Sequence, residues 1–242
     1  MDEALVTTVA ALRHNWFDAH YVGTGEEARM WLLERLPPGS VVGAGDSATL
    51  KQIGAWEALA ARGNTVLNPF TRELTLDPEK RALMRETMRR ALASDVFVAS
   101  VNAVTIDGKL VSVDRVGNRL VGLLFGAPRV LLVVGQNKIV ASAEEALRRV
   151  KEVIAPAHAG WKGRKTPCAA TGQCNECSSP DRICRATLIL EKRPGLTDIS
   201  VLLVGEDLGL GWDPAWPAER IEGIRHRYQQ VTWGFPTTSS LA

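Results

Sequence analysis

Cysteine is missing from almost the whole chain: of 242 residues, the four that carry a thiol, Cys168, Cys174, Cys177 and Cys184, lie within one short stretch. That excludes a scaffold stapled throughout by disulfides. Long apolar runs are also absent. The longest, Val130 to Val134, falls far below the roughly 18 residues that cross a bilayer, so no membrane span is expected. Neither sign of charge dominates, since 29 Lys and Arg stand against 27 Asp and Glu. A formal charge of +2 gives no reason to expect nucleic acid as a partner. The start, Met1-Asp2-Glu3, has no basic segment leading into an apolar stretch, which argues against a secretory signal and for a cytoplasmic protein. Histidine is scarce, and His14, His20, His158 and His226 show no metal-ligand spacing. There is no internal repeat and no low-complexity segment.

What is present suits one sizeable domain spanning 1–242, because 45% apolar composition supports a substantial core at this length. Thr24-Gly-Glu-Glu27 has the spacing of a capping box, and Ala28, Trp31, Leu32 and Leu36 follow at helical period until Pro37-Pro38. Val41-Val42-Gly43 reads as a short buried strand. A second helical pattern, Leu50, Ile53 and Ala60, closes at Gly63, and Val66-Leu67 is the next strand. Asp77-Pro78 opens a helix through Leu83, Thr87, Met88 and Ala91. Strands are then expected at Val96 to Ala99, Ala103 to Ile106, Leu110 to Val113 and Val130 to Val134. Asp107-Gly108 between two of these is a hairpin signal. Ser142-Ala-Glu-Glu145 starts a helix expected to end before Pro156, and strands resume at Ala186 to Glu191 and Ile199 to Val204. This alternation predicts an α/β fold, a mainly parallel sheet covered by helices. The cysteine segment, 158–185, reads as an inserted loop that returns directly into a core strand, and the tail with Trp212, Trp216 and Trp233 as packing back on the body.

Three segments could carry chemistry. Four thiolates with five, two and six residues between them can wrap one metal, and Gly172, Asn175 and Ser178-Ser179-Pro180 permit the turns this requires. An iron–sulfur cluster, a structural zinc, and disulfides or plain thiols are the readings. Only one Cys-x-x-Cys pair, Cys174 to Cys177, is present, so spacing alone favours zinc at least as much as iron. The second segment, Gly43, Gly45, Asp46, Ser47 and Thr49, runs from a strand into a helix, where backbone N–H groups favour an anion. A plain turn capped by Asp46 or Ser47 competes with that. The third holds Asn102, Thr105, Asp107, Asp114, Gly117, Asn118 and Arg119, polar groups at strand ends where open α/β sheets place ligands. Asp107 and Asp114, as general base or orienting groups, and Asn118 form the candidate catalytic set. A hairpin whose Asp and Gly only make the turn is the alternative. Lys138 could reach an anionic substrate, although a lone lysine after a strand is more often exposed and only solvated. Lys162, Arg164 and Lys165, just before the cysteines, read as a solvated run.

Gly-Ala-Gly-Asp-Ser-Ala-Thr-Leu from Gly43, Asn-Ala-Val-Thr-Ile-Asp-Gly from Asn102, Val-Val-Gly-Gln-Asn-Lys-Ile-Val around Lys138, and Val-Gly-Glu-Asp-Leu-Gly-Leu-Gly-Trp from Val204 together resemble the LUD-domain (lactate utilisation) family. The likeness covers nearly the whole chain. The cysteine stretch resembles that of one subgroup. The resemblance implies a fold similar to glucosamine-phosphate deaminase, ribose-phosphate isomerase and coenzyme A transferases, although no glutamate nucleophile motif of the transferases is recognisable. It also makes Asn102 to Lys138 look like the ligand-facing part of sugar-phosphate-sensing domains. Some members belong to a lactate oxidation system whose other components carry iron–sulfur clusters, which moves the cysteine reading toward a 4Fe-4S cluster over zinc.

Two functions follow as expectations. One is an oxidoreductase component of organic-acid (L-lactate) oxidation, its cluster near a carboxylate site and its electrons passed to redox partner subunits. The other is a ligand-binding, isomerase-like or transferase-like module for a phosphorylated or acyl compound, with zinc stapling the loop. A purely structural subunit is a third. In the first two a small anionic substrate is expected, and the four sulfurs are expected to converge at the mouth of a cleft lined by Gly45, Ser47, Asp107 and Asn118.

Overall fold

Val130, Leu132 and Val134 face one apolar cluster, with Leu5, Leu12, Phe97 and Leu203, while Leu131 and Val133 face another, with Trp31, Leu50, Trp56 and Val98. A strand covered on both faces has no polar side to show, which is why this run is apolar without alternation. Each fully buried aliphatic side chain of this strand contributes about 1.5–3 kcal/mol of transfer free energy. They lie at the centre of a six-stranded parallel sheet in the computed structural model, which describes residues 3–232.

In chain order the strands are β1 Asp18–Val22, β2 Val41–Ala44, β3 Thr65–Leu67, β4 Val96–Ala99, β5 Ala103–Thr105, β6 Leu110–Asp114, β7 Arg129–Gly135, β8 Ile139–Val140, β9 Ala186–Leu190 and β10 Asp198–Val204. The main sheet has the order β1-β10-β7-β4-β2-β3, with Val201 opposite Leu132 and Val98 opposite Leu131. Its pairs are all parallel. A smaller mixed sheet, β8-β5-β6-β9, continues from the carboxyl ends of β4 and β7, and its Val104, Leu110 and Leu190 join the first core cluster. The expected α/β architecture with a mainly parallel sheet is therefore present. No helix of the described residues is long and apolar enough to cross a membrane.

Local signals placed most elements. Thr24 and Glu27 form the capping box reciprocally, and Ser142 caps Ala143–Arg149 by accepting from the Glu145 N–H. Gly43 has a packing role: a Cβ there would stand 2.1 Å from the Ala91 carbonyl oxygen at the end of the helix Arg81–Leu92. Gly43→Ala should therefore force strand and helix apart and destabilise the protein by about 3 kcal/mol, at the upper end for overpacking. Urea unfolding measures this, and a loss under about 1 kcal/mol would show that the helix moves away freely.

Four expectations need correction. The pattern from Leu50 to Gly63 is two short helices, Ala48–Gln52 and Ala55–Ala61, because Gly54 between them is left-handed (φ 64°). Pro156 does not end the helix begun at Ala143. A π turn at Val150–Ile154 absorbs the hydrogen bond that proline cannot make, and the helix continues as Ala155–Trp161. His158 thus belongs to a helix and not to the inserted loop. The cysteine segment leads into β9, a half-exposed strand at the edge of the small sheet, and not into a core strand of the main one. In the tail, Leu208 and Leu210 are buried, Trp212 packs on the cluster of Val150 and Ile154, and the helix Ala218–Val231 returns Tyr228 to that cluster. Trp233 lies outside the described residues.

Candidate functional site: a cationic cavity with an unpaired lysine

β2, β4, β7 and β10 all end on the same edge of the parallel sheet, and the segments that follow them, Asp46-Ser47, Ser100 to Asn102, Lys138 and Gly209-Leu210, line one cavity of about 700 Å³. The crevice at the carboxyl edge is where such sheets hold ligands. Asp114, Asn118 and Arg119 close it from the small sheet and the helix Asn118–Phe125, and His158, Lys162, Cys184 and Tyr228 from the far side.

At the bottom sits Lys138, only 5% exposed. β7 ends at Gly135, where a side chain would strike Leu208 and Asn137, and the fully buried Asn137 then ties the turn to the loop after β10 by accepting from Leu208 N (2.9 Å) and donating to Gly211 O (2.9 Å). This fixes the backbone of Lys138. Its Nζ donates to Thr49 Oγ1 and Ser100 Oγ, both at 2.9 Å. Gly209, left-handed at φ 75°, makes the room, since a Cβ there would lie 2.8 Å from Nζ. Among the described residues no carboxylate pairs with this amine. Burial first, and then the nearby Arg119, push its pKa down to about 7.

Arg119 is the hub of the opposite wall. Its guanidinium donates to Val113 O (2.7 Å), Ser100 O (3.3 Å) and Asn102 Oδ1 (3.4 Å) and lies 3.6 Å from Asp114 Oδ2. Gly45 lets it pass, as a Cβ there would meet Arg119 Cγ at 3.0 Å. Asp114 also receives the backbone N–H groups of Arg115 (2.8 Å) and Arg119 (3.2 Å), so it positions the arginine and the helix start instead of facing the cavity as a free base. On the far side, burial would raise the Asp46 carboxyl, but Lys51 at 3.2 Å, Lys162 and His158 outweigh it and hold it well below the usual carboxylate range. His158 Nδ1 is hydrogen-bonded to the Tyr228 hydroxyl. Burial, helped by Lys162, lowers its pKa to about 4, which leaves the imidazole neutral at neutral pH. In all, eight Lys and Arg side chains line the cavity against three carboxylates, Asp46, Asp114 and Asp181.

Of the residues read from sequence, Asp46, Ser47, Asn102, Asp114, Asn118, Arg119 and Lys138 meet here, with Thr49 bonded to Lys138 and Gly45 beneath Arg119. Gly43 is a packing residue, and Gly117 is the left-handed N-cap (φ 90°) of the helix that presents Asn118. Ser47 caps Ala48–Gln52, a helix too short for a strong dipole, so the anion-favouring charge comes from side chains. Asp107 and Thr105 lie elsewhere. The Asp107-Gly108 turn docks on the first helix, Glu3–His14, and its end: Asn15 Nδ2 donates to Asp107 O (2.8 Å) and Gly108 O (3.1 Å), and a Cβ on Gly108 would meet Ala11. Thr105 donates to the Asp107 carboxylate, which that bond and Lys109 hold below its usual range. Both serve the hairpin. Sequence reasoning missed His158, Lys162 and Tyr228. Lys162 was read as part of a solvated run, yet it is 6% exposed.

The four thiols are all unpaired. Cys168 is buried at the start of the helix Pro167–Thr171 beside Thr166 Oγ1 (3.4 Å), and Cys184 forms part of the cavity wall. Cys174 and Cys177 are half-buried. The loop is held by Asp181, which accepts from Lys165 N (3.0 Å) and Arg115 (3.4 Å), and by Arg182, which donates to the carbonyls of Cys177 (2.7 Å) and Cys184 (3.0 Å). Among the described residues no three His, Cys, Asp or Glu side chains gather as a metal would require. The four sulfurs are thus not seen gathered on one centre among the described residues.

A parallel α/β sheet with a cationic crevice at its carboxyl edge is the class of protein that these features define. Residues 5–204 match the LUD domain family, and the chain belongs to it. Among solved structures the chain is similar to a DUF162 family protein from Deinococcus radiodurans, at 13% identity and a TM-score of 0.47, over 84% of this chain and 96% of that one. No curated protein matches the chain.

Proposed function

We propose that the cavity binds a small anionic organic compound, a carboxylate or phosphate ester, with Lys138 as its anchor. The observation that carries this is a buried amine whose partners are two hydroxyls and no carboxylate, in a cavity where cations outnumber acids. Such an amine is stabilised in its charged form by an arriving anion. Arg119, Asp114 and Asn102 give the opposite wall a fixed shape. His158, neutral and bonded to Tyr228, adds an uncharged hydrogen-bonding ring to the far wall. Membership of the LUD family supports organic-acid metabolism as the setting of this reading, with L-lactate and pyruvate as first compounds to try. In thermal-shift measurements with L-lactate, pyruvate, inorganic phosphate and ribose 5-phosphate, at least one should raise the Tm by about 5 °C at saturation. Lys138→Met should abolish the shift. Silence across the carboxylates and phosphates alike would overturn the reading.

A second reading, an electron-transferring component with a 4Fe-4S cluster on Cys168, Cys174, Cys177 and Cys184, draws on four unpaired thiols in one segment beside the cavity. It requires the sulfurs to gather, and nothing in the anion-binding reading depends on it. Protein purified without oxygen that carries iron and acid-labile sulfide in stoichiometric amounts would support it, one zinc per chain would support a staple, and neither metal would overturn both.

A further inference from the structure

Ser100 carries a constraint that decides what the Lys138 amine can do. Its hydroxyl donates to the Val133 carbonyl at 2.6 Å, so toward Lys138 it can act only as an acceptor. Thr49 Oγ1 takes a second position on the nitrogen. With Gly209 pressed against the amine and no carboxylate beside it, the third position is left for the cavity. Two hydroxyls hold an amine in place without fixing a charge on it, unlike a carboxylate, which would keep it an ammonium.

We propose that Lys138 is a nucleophile that forms a reversible imine with the carbonyl of an anionic aldehyde or ketone held in this cavity. This rests on the anion-binding reading above and adds the carbonyl to the ligand class. In the step, the neutral amine nitrogen bonds to the carbonyl carbon while one N–H proton passes to the carbonyl oxygen, giving a carbinolamine. The C–O bond then breaks, and the oxygen departs as water with the second N–H proton, leaving a carbon–nitrogen double bond. No oxidant or reductant is consumed. The Lys138 pKa of about 7 makes this possible at neutral pH, where the neutral fraction exceeds that of an ordinary lysine by about a thousandfold. Cationic side chains such as Arg119 and Lys162 would hold the anionic group.

Pyridoxal 5′-phosphate is a suitable probe, since it joins an aldehyde to a dianion. The full chain, exposed to it at neutral pH, is reduced with borohydride so that any imine becomes a stable secondary amine, and labelled peptides are read by mass spectrometry. Labelling at Lys138 should run on the order of tenfold faster than at surface lysines, be half-maximal near pH 7, and vanish in Lys138→Met, whose fold circular dichroism checks. Inorganic phosphate or pyruvate in excess should protect it. Calorimetric binding of phosphate with no label on Lys138 would overturn the imine and leave the anion site standing. A label on Lys138 that neither phosphate nor pyruvate suppresses would overturn the anion site. Labelling spread over exposed lysines, with Lys138 untouched and no phosphate binding, would overturn both.

Discussion

Lys138→Met is expected to make the protein more stable at pH 6, by about 3 kcal/mol, and the gain should fall nearly to zero by pH 9. The sign follows from the lowered pKa. Unfolded, the amine titrates as an ordinary lysine, and folded, at about 7. Between those values the unfolded chain binds more protons, so the wild type gains stability as pH rises through that window. Below pH 7 the full cost of a buried unpaired ammonium is present, roughly 5 kcal/mol as an upper limit. Methionine fills a similar volume without a charge, and loses only the two hydrogen bonds to Thr49 and Ser100, worth about 1 kcal/mol each. Urea unfolding of both proteins at pH 6 and pH 9 reads the difference directly. A variant weaker than the wild type at pH 6, or a difference that ignores pH, would show that the amine has a counter-charge. In the proposed anion site the same substitution is expected to remove binding, so this residue would lower stability in order to hold a ligand, as functional sites commonly do.

Arg119→Ala should act in the opposite direction, destabilising by about 3 kcal/mol, because it leaves the half-buried Asp114 without its guanidinium and removes donors from Val113 O, Ser100 O and Asn102. Asp114→Asn keeps the shape and most of the acceptors, so it should cost less. The double variant should lose clearly less than the sum of the two, with a coupling on the order of 1–3 kcal/mol. Chemical unfolding of the three variants tests this. Additive losses would mean that Asp114 and Arg119 hold their places independently.

The elements that the sequence made legible are those whose cause is local. A capping box at Thr24 or a run such as Val130 to Val134 carries its reason in adjacent residues, and the alternation of such runs with helical periods implied the parallel sheet. What it hid was set by distant contacts. Asp107 in its hairpin turn and Asp114 at the end of β6 look alike in sequence, and only the docking of one on Asn15 and of the other on Arg119 separates hairpin from cavity. His158 was out of reach because Pro156 signals a helix end, and the π turn that carries the helix past it leaves no clear mark in the sequence. Lys138 was legible as a candidate, but its burial depends on Gly209 and Thr49, far away in the chain. The four cysteines lie close in sequence but in different surroundings, Cys168 buried at the short helix Pro167–Thr171 and Cys184 in the cavity wall.

The most direct test is to follow the side-chain nitrogen of Lys138 by NMR across pH 5 to 10, alone and with saturating inorganic phosphate. The account predicts a titration near pH 7 for the free protein, as burial requires, and a move to clearly higher pH when phosphate binds and stabilises the ammonium. A nitrogen that titrates like an ordinary lysine and does not respond to phosphate would contradict it.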